Sequence, residues 1–213
     1  MLYLAYDITK MLKSGDNAAG GMLGDGFYRS TTHWVRSFGT PCFLCQIEVT
    51  YDDGSKQVIA TDETWLTKPS AITMTGVYDG EVYDARLETP QWAEAGCDEN
   101  GWKAVKLAEA PVGQLTAHTS PTDRICEVLQ PIKVTKGEQG QYEIDFVKEI
   151  SGWVRLKNLR GQAGKTVSVK YICESPVGKE EYILKGTGSE SYAPRFTWYV
   201  FSKVVVSGVD NLT

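Results

Sequence analysis

Short apolar runs separated by turn signals are the sequence feature that most constrains the fold. Residues 52–55 read Asp-Asp-Gly-Ser between two alternating runs, which predicts a β-hairpin because Gly accepts the positive φ of a tight turn. Residues 136–138 and 160–164 predict further turns. Since no long segment has the helical period of about 3.6 residues, the pattern predicts an all-β protein. The predicted strands are residues 18–23, 43–51, 57–61, 64–66, 72–77, 104–107, 125–134, 141–146, 153–159, 166–172 and 196–206.

The length of the chain bears on the number of domains. A chain of 213 residues forms one large domain or two of ordinary size. Residues 115–124 are polar and contain Pro121, which is typical of a boundary. We therefore expect two tandem antiparallel β-sandwich domains, at residues 1–118 and 119–213.

Composition excludes two classes of partner. The net charge is −5 and no basic cluster is present, so nucleic acid is not an expected partner. The apolar runs are too short to span a bilayer, so no membrane association is expected. Residues 1–7 lack the basic segment and cleavage site of a signal peptide.

The five cysteines do not predict a metal or redox centre. Cys42 and Cys45 form a C-x-x-C pair, but it lies in an apolar strand-like run without a second pair, and the chain has two histidines. Zinc needs more ligands, and redox use favours a helix start after the first Cys. We expect the thiols to be small buried apolar groups.

Residues 77–86, Val-Tyr-Asp-Gly-Glu-Val-Tyr-Asp-Ala-Arg, concentrate polar chemistry. Asp79-Gly80 predicts a turn. In the strand that follows, Glu81 and Tyr83 are expected on one face, and Asp84 on the other. Such a cluster of acids and aromatics suits a polar ligand or a cation. It equally suits a hairpin tip whose carboxylates are solvated or paired with Arg86.

Other segments leave similar alternatives open. Gly24-Asp25-Gly26 allows close approach of another group, or is only a turn. Trp92 and Trp102 have faces that could stack on a sugar, although core or sheet-end packing is the more common use. Residues 6–17 predict a short helical turn, capped by Asp7 or Thr9 and ended by Gly15.

Three motifs occur in a fixed order: Tyr-Asp-Ile-Thr at residues 6–9, Leu-Gly-Asp-Gly-Phe-Tyr-Arg at 23–29, and residues 77–86. Their order resembles the amino-terminal β-sandwich of bacterial α-L-rhamnosidases, glycoside hydrolase family 78. Residues 142–146, 152–156 and 194–197 resemble the next domain of those enzymes. The resemblance covers nearly the whole chain and implies jelly-roll and concanavalin-like β-sandwiches.

The resemblance also implies a larger parent protein. In the family these sandwiches precede an (α/α)6 barrel, which carries the acid and base for inverting hydrolysis of a terminal L-rhamnoside. Such chemistry needs two carboxyl groups that face each other across the bond, and no barrel-like helical region is visible here. We therefore expect a non-catalytic fragment that supports the barrel and begins after the opening strands of the first sandwich. The parent is expected to be extracytoplasmic, either periplasmic or secreted.

Some relatives use the first sandwich as a calcium-dependent L-rhamnose-binding module. Ca²⁺ takes roughly six to eight oxygen ligands, and sugar hydroxyls can be among them. By resemblance, Asp25 is the first candidate ligand for Ca²⁺, while Gly26 stands where a neighbouring Asn ligand would be wanted. The candidate residues for binding a rhamnose-containing glycan are Asp25, Phe27, Tyr28, Arg29, Asp79, Glu81, Tyr83, Asp84 and Arg86.

Three hypotheses for the function follow. The chain is a non-catalytic portion of a rhamnosidase-like hydrolase, an autonomous calcium-dependent carbohydrate-binding module, or an architectural sandwich without a ligand. Binding of L-rhamnose with and without Ca²⁺ discriminates among them. A likeness in fold alone does not decide the function.

Overall fold

The computed structural model describes residues 1–29, 36–110, 112–173, 178–210 and 212. Strands dominate this part of the chain, beside two single-turn 3₁₀ helices at Thr9–Met11 and Ala85–Leu87, so the predicted all-β class is confirmed. The strands are β1 (Leu2–Tyr3), β2 (Gln46–Thr50), β3 (Lys56–Ala60), β4 (Leu66–Thr67), β5 (Ile72–Gly76), β6 (Gly80–Asp84), β7 (Lys103–Ala104), β8 (Thr116–Ala117), β9 (Lys133–Lys136), β10 (Tyr142–Gly152), β11 (Leu156–Leu159), β12 (Thr166–Ile172), β13 (Lys179–Ile183), β14 (Glu190–Tyr192) and β15 (Tyr199–Ser207).

The chain forms two compact units, each built from segments that are separate in sequence. Unit 1 comprises Met1–Gly21, Cys42–Lys68 and Pro90–Val128. Unit 2 comprises Met22–Pro41, Pro69–Thr89 and Leu129–Thr213.

Unit 1 contains pairs of short strands. β1 pairs with β8 in parallel, while β2 with β3 and β4 with β7 are antiparallel. The predicted hairpin at residues 52–55 joins β2 to β3, and Gly54 has a φ of +81°. None of the described residues of unit 1 is buried. The strand pairs of unit 1 are therefore explained by the residues of their turns and not by a hydrophobic core.

Unit 2 is organised around a seven-stranded sheet in the order β5-β6-β13-β12-β15-β10-β9. Neighbouring strands are antiparallel except β6 and β13, which are parallel and place Glu81 opposite Glu180. β11 and β14 form a separate antiparallel pair. Since β6 lies within residues 1–118 and β13 within 119–213, the two predicted domain ranges share one sheet. The boundary after residue 118 stays a prediction.

The hydrophobic core belongs to unit 2. β12 alternates buried and exposed side chains, and Val167, Val169 and Tyr171 point inward. Phe201 from β15 meets the Tyr171 ring edge-on, with ring centroids 4.7 Å apart. Full burial of such side chains stabilises the fold by about 1.5–3 kcal/mol each relative to exposure. The core therefore holds the sheet rigid next to the polar residues described below.

Several predicted elements are wrong. Residues 18–23 are not a strand and are mostly exposed, and residues 125–132 have no regular structure. Neither segment pairs with a neighbouring strand, and a strand-like composition alone is not enough to form a strand. β13 and β14 were not predicted, because Lys-Glu-Glu-Tyr-Ile and Glu-Ser-Tyr have the composition of exposed loops.

The cysteines also differ from expectation. Cys42 and Cys126 are exposed, and Cys45, Cys97 and Cys173 are half-buried, so the prediction of buried thiols is wrong. The C-x-x-C pair precedes β2 in an irregular segment rather than lying within a strand. Trp92 and Trp102 are both half-buried. In the described ranges no helix has the length and apolarity needed to cross a membrane.

Candidate functional site

Three segments far apart in sequence meet in unit 2, and we call their meeting point the junction. It consists of residues 24–29, 77–86 and 194–197. The N–H of Val77 donates to the carbonyl of Gly26 at 3.0 Å, and the carbonyl of Val77 accepts from the hydroxyl of Thr197 at 3.1 Å. The backbone N–H of Arg195 donates to Glu81 Oε2 at 3.0 Å. The fold therefore gathers three of the motifs on which the resemblance rests.

The turn at residues 24–29 is fixed by its backbone. The carbonyl of Asp25 accepts hydrogen bonds from the N–H groups of Tyr28 and Arg29, both at 3.0 Å. A Cβ at position 24 would overlap the Phe196 ring, so only Gly fits there. Gly26 has a φ of +51°, which is strained for other residues. In Gly-Asp-Gly, the second glycine thus allows the turn, and the first allows the Phe196 ring to approach the backbone closely.

The side chains of this turn face outward. Phe27 and Tyr28 are 53% and 50% exposed. The ring of Phe27 lies 6.1 Å from that of Tyr78, which links the turn to the hairpin, and Tyr28 lies 5.7 Å from Phe38. Arg29 Nη1 is 3.9 Å from Asp25 Oδ1, a long and partly exposed ion pair. The turn therefore presents aromatic faces beside one acid and one base.

The hairpin at residues 77–86 confirms the predicted turn and strand. Gly80 adopts a φ of +89° at the start of β6, and a Cβ there would overlap the backbone of Lys179. Asp84 ends the strand and caps the 3₁₀ helix that follows, since its Oδ1 accepts from the N–H of Arg86 at 3.1 Å. Asp79 is half-buried, and its carbonyl accepts from the N–H of Lys179.

Asp84 and Arg86 form a two-pronged ion pair. The Nε and Nη2 atoms of Arg86 donate to the two carboxylate oxygens of Asp84 at 2.9 and 2.7 Å. These bonds hold the pKa of Asp84 below its usual value. The alternative that this carboxylate is paired with Arg86 is therefore the observed arrangement.

Glu81 is not a surface ligand group. Its side chain is 0% exposed and points into the core of unit 2. Its Oε2 accepts from Arg195, while its Oε1 is buried without a hydrogen-bond partner. Burial raises the pKa of Glu81, and the N–H and positive charge of Arg195 oppose that shift. Glu81, one of the candidate glycan-binding residues, is therefore enclosed in the interior in this structure.

Glu180 lies opposite Glu81 across the parallel strand pair. It is 1% exposed, and its Oε2 accepts from the Tyr171 hydroxyl at 3.1 Å. The net pKa of Glu180 is raised to about 8: burial raises it most, the hydrogen bond from Tyr171 opposes the rise, and the charge of Glu81 adds to it. Glu180 is therefore largely protonated at neutral pH. Two buried acids side by side cannot both be ionised without a large energetic penalty.

Tyr83 is also part of the interior. It stacks on Tyr182 with ring centroids 5.6 Å apart, and its hydroxyl donates to Glu88 Oε1 at 2.8 Å. Burial, followed by the bond to Glu88, raises its pKa to about 12. The guanidinium of Arg195 lies 5.1 Å above its ring. Tyr83 therefore positions Arg195 instead of facing solvent.

The structure thus separates the predicted site residues. Asp25, Phe27, Tyr28 and Arg29 lie on the accessible turn, and Glu81 and Tyr83 lie in the interior. Asp84 and Arg86 pair with each other, and Asp79 is half-buried in the hairpin turn. Sequence reasoning missed Glu180 because it sits in a Lys-Glu-Glu run that has the composition of a surface segment. The signal that was available is the alternation of Glu180 and Tyr182, which is a strand pattern.

The described residues do not fit the calcium site that the resemblance implied. Over residues 1–29, 36–110, 112–173, 178–210 and 212 no three His, Cys, Asp or Glu side chains cluster as metal ligands would. Asp25 has Arg29 as its neighbour, and position 26 offers no side-chain oxygen. A Ca²⁺ ion needs more oxygens than this turn supplies.

Comparison with known proteins gives a consistent result. The family described as alpha-L-rhamnosidase N-terminal domain matches residues 1–127. An alpha-L-rhamnosidase from Streptomyces avermitilis is 33% identical over 226 residues, covering 97% of this chain and 22% of that protein. One from Formosa agariphila is 30% identical over 235 residues, covering 98% of this chain and 25% of that protein. The chain therefore spans about a quarter of the length of these relatives.

A solved structure supports the likeness in three dimensions. The crystal structure of the Streptomyces avermitilis alpha-L-rhamnosidase complexed with L-rhamnose superimposes with a TM-score of 0.78 and 31% identity. The match covers 87% of this chain and 20% of that one.

Proposed function

Because the chain belongs to the alpha-L-rhamnosidase N-terminal domain family, we propose that it is a non-catalytic β-sandwich portion of a rhamnosidase-type glycoside hydrolase that supports the catalytic barrel. The chain alone is proposed not to hydrolyse glycosides. The observation that carries this proposal is the state of the junction acids. Glu81 is enclosed in the core, and Asp84 is paired with Arg86. Inverting hydrolysis needs two carboxyl groups that both reach the sugar.

The surface of unit 1 supports the packing role. Large apolar side chains are exposed there, including Leu44, Val58 and Leu107. Exposed apolar residues in quantity are typical of surfaces that contact another protein part. The relatives are about four times longer than this chain, so most of each relative lies outside the matched region.

The test is an assay of the purified chain with a chromogenic α-L-rhamnoside. We expect no hydrolysis above the background of an identically purified Asp25→Asn, Asp84→Asn double variant. Hydrolysis by the chain that the double variant lacks would overturn the proposal. An assay of the parent protein with and without this region then measures its support of the barrel, and we expect loss of soluble, active enzyme on its removal.

A second role is favoured by the turn at residues 24–29. We propose that it binds L-rhamnose, because the exposed Phe27 and Tyr28 faces lie beside Asp25 and Arg29. Aromatic faces complement the C–H face of a sugar ring, and the charged groups can bond its hydroxyls. A relative is known in complex with L-rhamnose.

Calorimetric titration with L-rhamnose tests this role. We expect millimolar binding that is lost in Asp25→Ala and Phe27→Ala and retained in Asp16→Ala, an exposed acid elsewhere. The titration is repeated with Ca²⁺ and with a chelator, and equal binding in both is expected from the incomplete metal ligand set. Absence of binding in both conditions would leave the packing role alone.

A further inference from the structure

The geometry points to a second ligand site in unit 2, which binds a sugar that carries a carboxylate. This inference goes beyond the proposed function. The site is an open cavity of about 280 Å³ beside the β11–β14 pair. Its lining includes Trp153, Arg155, Ser191, Tyr192, Pro194 and Arg195. The volume lies just below the usual range for drug-sized ligand pockets, roughly 300–1,000 Å³, and suits a single sugar ring.

Trp153 and Arg155 lie in the short segment between β10 and β11, where exposed and buried residues alternate. Val154 and Leu156 are buried, while Trp153 and Arg155 on either side of Val154 are exposed. The N–H of Val154 donates to the buried hydroxyl of Tyr171 at 3.1 Å, which anchors the backbone between them. Trp153 is 38% exposed, so one part of the indole is held and another faces the cavity.

Arg195 reaches the same cavity from the segment that follows β14. β11 and β14 pair through Leu156 and Tyr192, which brings residues 191–195 beside residues 153–155. The guanidinium of Arg195 lies over the ring of Tyr83, and its N–H is bonded to the buried Glu81. Arg195 is therefore fixed in place before any ligand arrives, which lowers the entropy lost on binding.

Neither guanidinium group forms a direct ion pair with a described carboxylate, although the charge of Arg195 acts on the buried Glu81. In the described segments, the ion pairs involve other residues, and neither Arg155 nor Arg195 takes part. The chain has a net charge of −5, so two arginines without a direct ion pair give this cavity a positive charge opposite to that of the chain as a whole. Arginine binds carboxylates through two parallel hydrogen bonds.

The combination selects one class of ligand. An indole face stacks on the C–H face of a pyranose, and Ser191 offers a hydroxyl to a sugar hydroxyl. The arginines then bind the carboxylate of the same ring. A uronic acid carries both parts, whereas a neutral sugar or a simple carboxylate carries one.

The test uses the ¹⁵N-labelled chain and follows the tryptophan indole N–H signals by NMR. D-Glucuronate and D-galacturonate are the probes, and methyl β-D-glucopyranoside and acetate at equal ionic strength are the comparisons. We expect saturable, millimolar binding of at least one uronate that shifts the Trp153 signal, with at least about tenfold weaker binding of both comparisons. The Trp153 signal is assigned by its loss in Trp153→Ala.

Variants establish the location. Trp153→Ala and Arg155→Gln should each weaken uronate binding by about tenfold, while Trp198→Ala and Arg160→Gln should leave it unchanged. Trp198 and Arg160 are exposed residues outside the cavity lining. Circular dichroism checks that each variant is folded.

Three results would overturn the inference. They are failure of both uronates to bind, acetate binding as tight as uronate binding, or uronate binding that survives both Trp153→Ala and Arg155→Gln. Loss of L-rhamnose binding in Phe27→Ala does not bear on this cavity, so the two proposed sites succeed or fail separately.

Discussion

Unit 2 contains every buried side chain in the described part of the chain, whereas unit 1 contains none. Both are built from strands and tight turns, and both have a glycine with positive φ at a hairpin. The difference is that the strands of unit 2 join into a seven-stranded sheet, while those of unit 1 stay in pairs. An isolated two-stranded hairpin is marginally stable at best in water. The comparison teaches that correct turn chemistry makes a hairpin, and that only sheet extension makes a core.

Removing a core ring provides the largest test of this difference. Phe201 is 1% exposed, and Phe201→Ala should lower the free energy of unfolding by about 3–5 kcal/mol because of the cavity it leaves. Phe43 in unit 1 is 42% exposed and packs on Trp65, so Phe43→Ala should cost about 1 kcal/mol or less. Urea unfolding of the full chain measures both. Equal losses would mean that unit 1 has a core of its own.

Two turn glycines, one in each unit, provide a second test of the difference in packing. Gly80 in unit 2 and Gly54 in unit 1 have φ values of +89° and +81°. A Cβ at Gly80 overlaps the Lys179 backbone, but a Cβ at Gly54 meets nothing within 4 Å. Gly54→Ala should cost about 1 kcal/mol, the strain of the left-handed conformation. Gly80→Ala should cost about 3 kcal/mol, since crowding adds to that strain. Similar unfolding midpoints for the two variants would contradict the packing described for β6.

The pH dependence of stability separates the two units again. The pKa of Glu180 rises from 4.5 in the unfolded chain to about 8 in the fold, so the native state holds its proton more tightly. The stabilisation is complete below pH 4.5 and is lost as the pH rises to about 8, with a slope of up to about 1.4 kcal/mol per pH unit.

The variant Glu180→Gln tests this assignment. It should flatten the decline in unfolding free energy between pH 5 and pH 8 by up to about 1.4 kcal/mol per pH unit, the share of this one carboxyl group. Glu63→Gln, at an exposed position of unit 1, should leave the slope unchanged. An unaltered slope in Glu180→Gln would show that the buried acid does not govern stability in this range.

A contrast within unit 2 shows why Glu180 is unusual. Glu190 is also buried, and burial raises its pKa, but the N–H groups of Lys185, Gly186 and Thr187 and the hydroxyl of Tyr182 together lower it. Glu180 accepts from Tyr171, and its Oε1 is left without a partner. The number of donors, more than depth, decides whether a buried acid keeps its charge.

The sequence was informative where structure is local. The turn at residues 52–55 and the bounds of β12 were predicted correctly, since turn residues and alternation are legible within ten residues. β13 was missed, because its place between β6 and β12 depends on segments about 100 residues apart. The same holds for the site: Asp25 and Phe27 were found from their motif. Glu81 is buried and accepts a hydrogen bond from Arg195 because strands distant in sequence pair with each other, and no local sequence pattern predicts that pairing.

The parallel pairing of β6 with β13 has a consequence for synthesis. The ribosome synthesises β6 nearly 100 residues before β13. The edge of β6 that pairs with β13 therefore stays unpaired until the later strands of unit 2 have been synthesised. Unit 2 therefore closes only when its last segment, Leu129–Thr213, has been released. During this interval an unprotected strand edge is open to wrong partners. The protein is expected to fold late and as a whole, and a gene cut after residue 118 would release β6 without the strand that completes it.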